Sequence, residues 1–370
     1  MKFTCSKSAL SAAIGTVSKA LSSNAQTPLL SGIYVSAEDD VIELHATDNE
    51  LGIKTSVPAS VEKKGKVVVQ GRYFLDVVRH LPSDMLTFSY DAETNRVRIE
   101  AGSSRFMLLS MDAADYPTVH ELTSGMKIHI KDTIFSEMIK KTAFACSQDE
   151  SRPAFTGCLF DVKPDTITMA ATNTHRLSVK REHINGIEGE RQIIIPAKVL
   201  NELTRILVSD ISADIEITCA DSQISFRLDS LFLTSRLIEG RFPDYQRVIP
   251  PSFATTVRLK TGDFMSAVER VSLISRGADY NIIRFEFEDG TVRISSTSQE
   301  VGNAEETIPV EMEGPAVNIA FNARYIMDVL KAIHSEETWI CLNETLKPAA
   351  VKEDGTEDFT YIVTPVRTAQ

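Results

Sequence analysis

The sequence predicts an α+β protein built as three tandem copies of one unit, each with two helices and an antiparallel sheet. Three observations predict it. The segments Ile42-Glu43-Leu44-His45-Ala46-Thr47, Ile167-Thr168-Met169-Ala170-Ala171-Thr172 and Val292-Arg293-Ile294-Ser295-Ser296-Thr297 recur at a spacing of 125 residues. Each alternates apolar with small or polar residues, the period of a half-buried strand. The same order of helix-like and strand-like stretches surrounds each copy. A chain of 370 residues divided by this unit gives three domains, at 1–124, 125–250 and 251–370. The period is too long for a solenoid repeat.

The elements follow in order. Upstream of the marker strands stand Ser31-Gly32-Ile33-Tyr34-Val35, Thr156-Gly157-Cys158-Leu159-Phe160 and Ile282-Ile283-Arg284-Phe285-Glu286, the third lacking the glycine. Before these come helical stretches at 7–21, 132–146 and 263–276. Leu10, Ala13, Ile14, Val17 and Leu21 form the apolar stripe of the first, and Phe264, Ala267, Val268 and Val271 that of the third. Spacings of three and four put such residues on one helix face. A second helix follows a strand in each copy, at 72–81, 197–207 and 324–333, after Val67-Val68-Val69, Ile193-Ile194-Ile195 and Val317-Asn318-Ile319. Hairpin strands such as Val97–Ala101 and Ser104–Leu108 close the unit.

Composition sets the class. Apolar content of 43% and charged content of 24% are those of a soluble globular protein, and no apolar run reaches the length of a membrane span. The N-terminus lacks an apolar leader. The five cysteines, Cys5, Cys146, Cys158, Cys219 and Cys341, form no C-x-x-C pair and read as reduced, buried thiols of a cytoplasmic protein, with no zinc site. No phosphate-binding glycine loop, H-E-x-x-H or G-x-S-x-G occurs, and the seven histidines lack ligand spacing. No catalytic residue, cofactor or metal is expected. An enzyme with an unrecognised acid/base pair and a peptide-binding scaffold that does not encircle DNA are the competing readings.

A net charge of −12 opposes nucleic acid binding if spread evenly. It is not. The six helical segments carry +5, so the rest of the chain carries −17. Six helices facing one side would make that side the one able to meet phosphates. Charge alone is equally that of ordinary solvated helix residues.

Four segments bring a family into view: Met1-Lys2-Phe3-Thr4, Ala171-Thr172-Asn173-Thr174-His175-Arg176-Leu177, Gly240-Arg241-Phe242-Pro243-Asp244-Tyr245 and Tyr361-Ile362-Val363-Thr364-Pro365-Val366-Arg367. Over its whole length the chain resembles the sliding-clamp family, the β subunits of bacterial DNA polymerase III. That resemblance implies the DNA clamp fold, two subunits head to tail in a closed six-domain ring, helices lining the hole, and sequence-independent binding of double-stranded DNA. The implied partners are the DNA polymerase III catalytic subunit, the clamp loader and other proteins with a clamp-binding motif.

The resemblance also implies three sets of residues. A peptide pocket would use Phe155, Thr172, Thr174, His175, Arg176, Leu177, Pro243, Arg247, Val248, Asn322, Tyr325, Ile362, Val363, Pro365, Val366 and Arg367. Apolar side chains make a groove and a few polar groups orient a peptide in it. Read alone, His175 and Arg176 are a surface strand end, and Ile362 and Val363 a core strand. DNA would meet Lys7, Asn24, Arg72, Arg79, Lys140, Lys141, Gln148, Lys198 and Arg205. A subunit seam would join Arg96, Arg98, Arg105, Phe106 and Leu108 of the first domain to Leu273, Ile274, Glu300, Glu305 and Glu306 of the third, unless Phe106 and Leu108 belong to the first domain's core. The chain departs from the family pattern in four places. Thr174 stands where glycine is common, Asn24 where some relatives have an arginine, Pro153-Ala154 where some have an aromatic pair, and Thr364 and Val366 with the tail Thr368-Ala369-Gln370 where methionine often flanks the proline.

Overall fold

The structure is a computed structural model describing residues 1–22, 27–207, 212–275 and 281–367. Asn24 and the tail Thr368-Ala369-Gln370 lie outside them.

Among the described residues, six α-helices occupy the predicted places: α1 Lys7–Val17, α2 Gly71–Arg79, α3 Asp132–Thr142, α4 Ala197–Ile206, α5 Thr261–Ser272 and α6 Ala323–Ala332. Short 3₁₀ turns extend α1, α3 and α5 to the lengths read from the sequence. The Ser6 hydroxyl begins α1 by accepting from the Ala9 N–H at 3.5 Å, which satisfies one of the orphan donors of a first turn. The expected stripe residues Leu10, Ala13, Ile14 and Val17 are buried. α2 buries Gly71, Phe74 and Val78. A Cβ on Gly71 would crowd the ends of the Leu21 and Ile33 side chains, which would have to shift to admit it. Phe74 meets Phe88, which stacks on Phe3 at 4.8 Å.

The marker strands are strands, Val41–Thr47, Thr166–Thr172 and Thr291–Ser298. Each pairs antiparallel with the strand before it: Gly32–Glu38, Gly157–Lys163 and Ile282–Glu288.

The chain packs into two compact units, although the repeat is threefold. One unit holds Met1–Thr133 with Arg205–Leu237, the other Ile134–Thr204 with Ile238–Gln370. The division cuts the central repeat because sheets run on from one repeat into the next. In the first unit Leu51–Pro58 pairs with Leu231–Arg236, through Leu51↔Ser235 and Lys54↔Phe232. In the second, Arg176–His183 pairs with Phe359–Val363, through Arg176↔Val363 and Lys180↔Phe359. Backbone groups at the end of one repeat's sheet are thereby satisfied by the next repeat.

The third repeat closes its own core around Phe264, Phe285, Phe287, Phe321 and Tyr361. All five cysteines are buried and none is in a disulfide among the described residues. Burial pushes the Cys5 thiol up to about 12, so it is an inert apolar filler. No described helix is long and apolar enough to cross a membrane.

Candidate functional site

In the second unit, the turn between Thr166–Thr172 and Arg176–His183 is held by its own side chains. Thr172 Oγ1 accepts from the Thr174 N–H at 3.1 Å and donates to the Arg176 carbonyl at 2.7 Å. Asn173 Oδ1 accepts from the N–H groups of His175 and Arg176, each at 3.1 Å. The turn puts Thr174 at φ 77°, a conformation that costs a β-branched residue and that glycine would adopt freely. The His175 carbonyl then accepts from the Thr364 N–H and hydroxyl, each at 2.9 Å. This fastens the chain end to the turn.

Beside this turn lies a cavity of about 230 Å³. Nine of the expected residues line it: Phe155, Thr172, Thr174, His175, Arg176, Leu177, Pro243, Val248 and Ile362. Asp244, Tyr245 and Thr364 also line it. They were legible only as parts of motifs. Pro153–Phe155 forms a 3₁₀ turn, and the Phe155 carbonyl accepts from the Ser147 N–H at 2.8 Å. Tyr245 packs edge-on to the buried Phe242 at 6.4 Å, and burial raises its phenol above the ordinary range. Phe155, Leu177, Val248, Ile362 and the Tyr245 ring present carbon to the cavity. Such a groove takes apolar side chains and orients them with a few polar groups.

Seven expected pocket residues are not among those lining the cavity. Val363 is fully buried in the third repeat's core, because alternation turns it away from its neighbour Ile362. Arg247 is exposed and paired with Asp244 at 2.8 Å. Asn322 caps α6 by accepting from the Arg324 N–H at 2.9 Å. Tyr325 stands behind the wall, its ring 4.5 Å from the Arg176 guanidinium, which also bonds Asp328 at 2.6 Å and the Phe144 carbonyl. Arg176 therefore lends its stem to the groove, while its charge is held within the fold. Pro365, Val366 and Arg367 run on past Thr364, with the Val366 N–H bonded to the Ala320 carbonyl at 2.8 Å.

The helix surfaces separate the basic residues. Arg72, Arg79, Lys140, Gln148, Lys198 and Arg205 are exposed. Lys7 is half-buried and donates to the Leu81 carbonyl at 2.6 Å. Lys141 corrects the expectation. It is buried and paired with Glu137 and Glu353, since it lies on the helix face turned to the third repeat's sheet, where Phe359 covers it. A cleft in the second unit is lined by Lys140 of α3, Asn201 and Thr204 of α4, and Asp328 and Lys331 of α6.

The strands at the expected seam have open edges, as do the other strands that end a sheet among the described residues. Ser104–Met111 pairs with Arg96–Ala101 along its length but reaches Gly65–Gln70 only through Ser110 and Met111. Gly302–Pro309 pairs only with Thr291–Ser298. Phe106, Met107 and Leu109 are exposed and Leu108 half-buried, so Phe106 is no core residue. Arg96 bonds the Met107 sulfur at 3.5 Å, Arg98 is exposed and Arg105 pairs with Glu100 at 3.1 Å. In the third repeat Leu273 is exposed and Ile274 half-buried. Glu300 is exposed, while Glu305 pairs with Arg293 and Glu306 with Arg270. Met107 and Leu109 were not singled out from the sequence. A run apolar on both faces of one strand is the signal for them.

No group of described residues has the makings of a metal site.

Residues 1–120, 129–244 and 246–367 match the models of the N-terminal, central and C-terminal domains of the DNA polymerase III beta subunit. The beta sliding clamps of Staphylococcus epidermidis and Staphylococcus aureus are 32% and 31% identical to the chain, over 100% of each sequence. The crystal structure of the DNA polymerase sliding clamp from Bacillus subtilis superposes with a TM-score of 0.94 at 29% identity, over 100% of both chains.

Proposed function

This chain belongs to the DNA polymerase III β-subunit family, the β sliding clamps, and from that membership we propose how its surfaces perform a clamp's work. It is a DNA polymerase processivity factor with the three-domain clamp fold. Its role is mechanical and not catalytic, in the cytoplasm where the chromosome is copied. Domains at 1–124, 125–250 and 251–370 correspond to the repeats.

Two subunits join the open edge at Ser104–Leu109 of one to the open edge at Gly302–Pro309 of the other and close a ring. The edges supply unpaired backbone groups. Phe106, Leu108, Leu273 and Ile274 supply apolar area, and Arg96, Arg98 and Arg105 face Glu300, Glu305 and Glu306 to fix register. Exposed Arg72, Arg79, Lys140, Lys198 and Arg205, with Gln148 and Lys7, then approach the phosphates of the enclosed duplex. Contacts to phosphate carry no sequence information, so the ring slides. A closed ring holds DNA topologically, which reconciles a net charge of −12 with a DNA partner.

The groove holds short apolar peptide segments of the replicative polymerase, the clamp loader and other clamp-binding proteins. The observation that carries this is the carbon-lined cavity of about 230 Å³ fastened between the Thr172–Leu177 turn and the C-terminal strand. Val248 stands exposed at its edge. A carboxylate there would meet an incoming apolar side chain without disturbing the core. Val248→Glu is expected to weaken a polymerase-derived peptide by about ten-fold or more and to leave the subunit mass in solution unchanged. Calorimetric titration measures the first and sedimentation the second. Unchanged peptide affinity would sink the assignment.

A further inference from the structure

The 125-residue repeat constructs the groove's backbone frame twice. In the first unit Thr47 ends Val41–Thr47, and its Oγ1 accepts from the Asn49 N–H at 3.0 Å. Asn49 has φ 74°, against 77° for Thr174 one repeat later. The Glu50 carbonyl accepts from the Arg236 N–H at 2.9 Å, as the His175 carbonyl does from the Thr364 N–H. Below the turn Leu51 and Gly52 pair with Ser235 and Thr234, as Arg176 and Leu177 pair with Val363 and Ile362. Pro117 follows Tyr116 beside the first turn as Pro243 follows Phe242 beside the second, and each proline lines its cavity. The cavities are of similar size, about 210 Å³ in the first unit and about 230 Å³ in the second.

The frames agree and the linings do not. Gly52 stands for Leu177, Thr234 for Ile362 and Val119 for Tyr245. A Cβ on Gly52 would lie 3.0 Å from Val119 and 3.2 Å from Thr234, so this floor is packed shut against a large apolar anchor. Opposite charges stand at the edge. Glu50 and Arg236 are both exposed, and neither carboxylate nor guanidinium has an ion-paired or hydrogen-bonded partner among the described residues. Backbone bonding joins these two residues, yet their side chains do not neutralise each other.

We infer that the first-repeat cavity is a second peptide site, for a short extended segment carrying one acidic and one basic side chain. Arg236 takes the acidic side chain through charge-assisted hydrogen bonds, Glu50 the basic one, and the shallow floor accommodates small residues between them. The inference rests on the peptide reading of the apolar groove, because the shared frame is what makes the second cavity a peptide site.

The test uses methyl NMR of the full chain, since the methyls of Thr47, Thr118, Val119 and Thr234 line one cavity and those of Leu177 and Ile362 the other. The probes are blocked pentapeptides of serine with one aspartate and one lysine, in both orders. A blocked pentapeptide of leucine, phenylalanine and serine is the control. One order of the charged probe should shift the methyls of Thr47, Thr118, Val119 and Thr234 at millimolar concentration. Arg236→Ala, or asparagine for the probe's aspartate, should weaken it about ten-fold. Silent methyls with both orders, or an affinity indifferent to Arg236→Ala, would overturn the inference. The control reports separately: its failure to shift Leu177 and Ile362 would sink the reading of the apolar groove instead.

Discussion

Lys141 and Glu353 form an ion pair buried on both sides, their side chains 4% and 9% exposed. Burial drives the Glu353 carboxyl up, but the Lys141 ammonium and the N–H groups of His334 and Ser335 outweigh it and hold it below the ordinary carboxylate range. Burial likewise drives the Lys141 ammonium down, and Glu353 and Glu137 more than restore it. The pair's sequence partners are 212 residues apart, so nothing local distinguished Lys141 from the exposed Lys140 beside it. Arg176 and Asp328 were opaque for the same reason, whereas the Thr172–Leu177 turn was readable because its bonds are local. Removing one member of a buried pair strands the other. Glu353→Gln should therefore cost about 3 kcal/mol in chemical denaturation near neutral pH. A depressed folded carboxyl contributes stability above its unfolded value, about 4.3, and loses it as pH falls through the folded value. The difference between variant and parent should shrink below that pH. A raised lysine contributes below its ordinary value and loses stability as pH rises through the folded one, so the pair stays intact across the neutral range. A variant as stable as the parent at neutral pH would show the pair to be inert.

Helices and strands were legible because each repeats its period of burial three times over. Their pairing across repeats was not, since hydrogen-bonded neighbours such as Leu51–Pro58 and Leu231–Arg236 lie far apart in sequence. Edges are the informative elements. Ser104–Met111 exposes apolar residues on successive positions, which a strand with one solvated face would not do. Gly302–Pro309 is open and acidic at Glu305 and Glu306. An unpaired, apolar edge is a template for another chain. The proposed seam places Leu273 and Ile274 beside it, outside the core. Leu273→Ala with Ile274→Ala should therefore give a folded monomer of the 40.9 kDa chain. It should still bind peptide at the groove and be lost from circular DNA. Sedimentation at low micromolar concentration decides it: a double variant that stays dimeric puts the seam elsewhere.

At the scale of the whole molecule, the distribution of charge matters more than its total. In the proposed arrangement an acidic body disfavours DNA elsewhere, and the basic helix surfaces meet the duplex that the ring encloses. Arg72, Arg79, Lys140 and Lys198 are exposed on three different helices, and none is buried in the core, so all four can be removed without cavities. Each phosphate contact releases counterions and steepens the salt dependence of binding. Replacing the four with alanine should lower the salt slope of binding to linear DNA by roughly one unit per lost contact. Retention on circular DNA should be unaffected, because a topological link does not depend on those contacts. The two substrates thus separate the helix surfaces from the seam. An unchanged slope on linear DNA would mean that phosphates meet other residues, and simultaneous loss from circular DNA would mean that the substitutions had opened the ring.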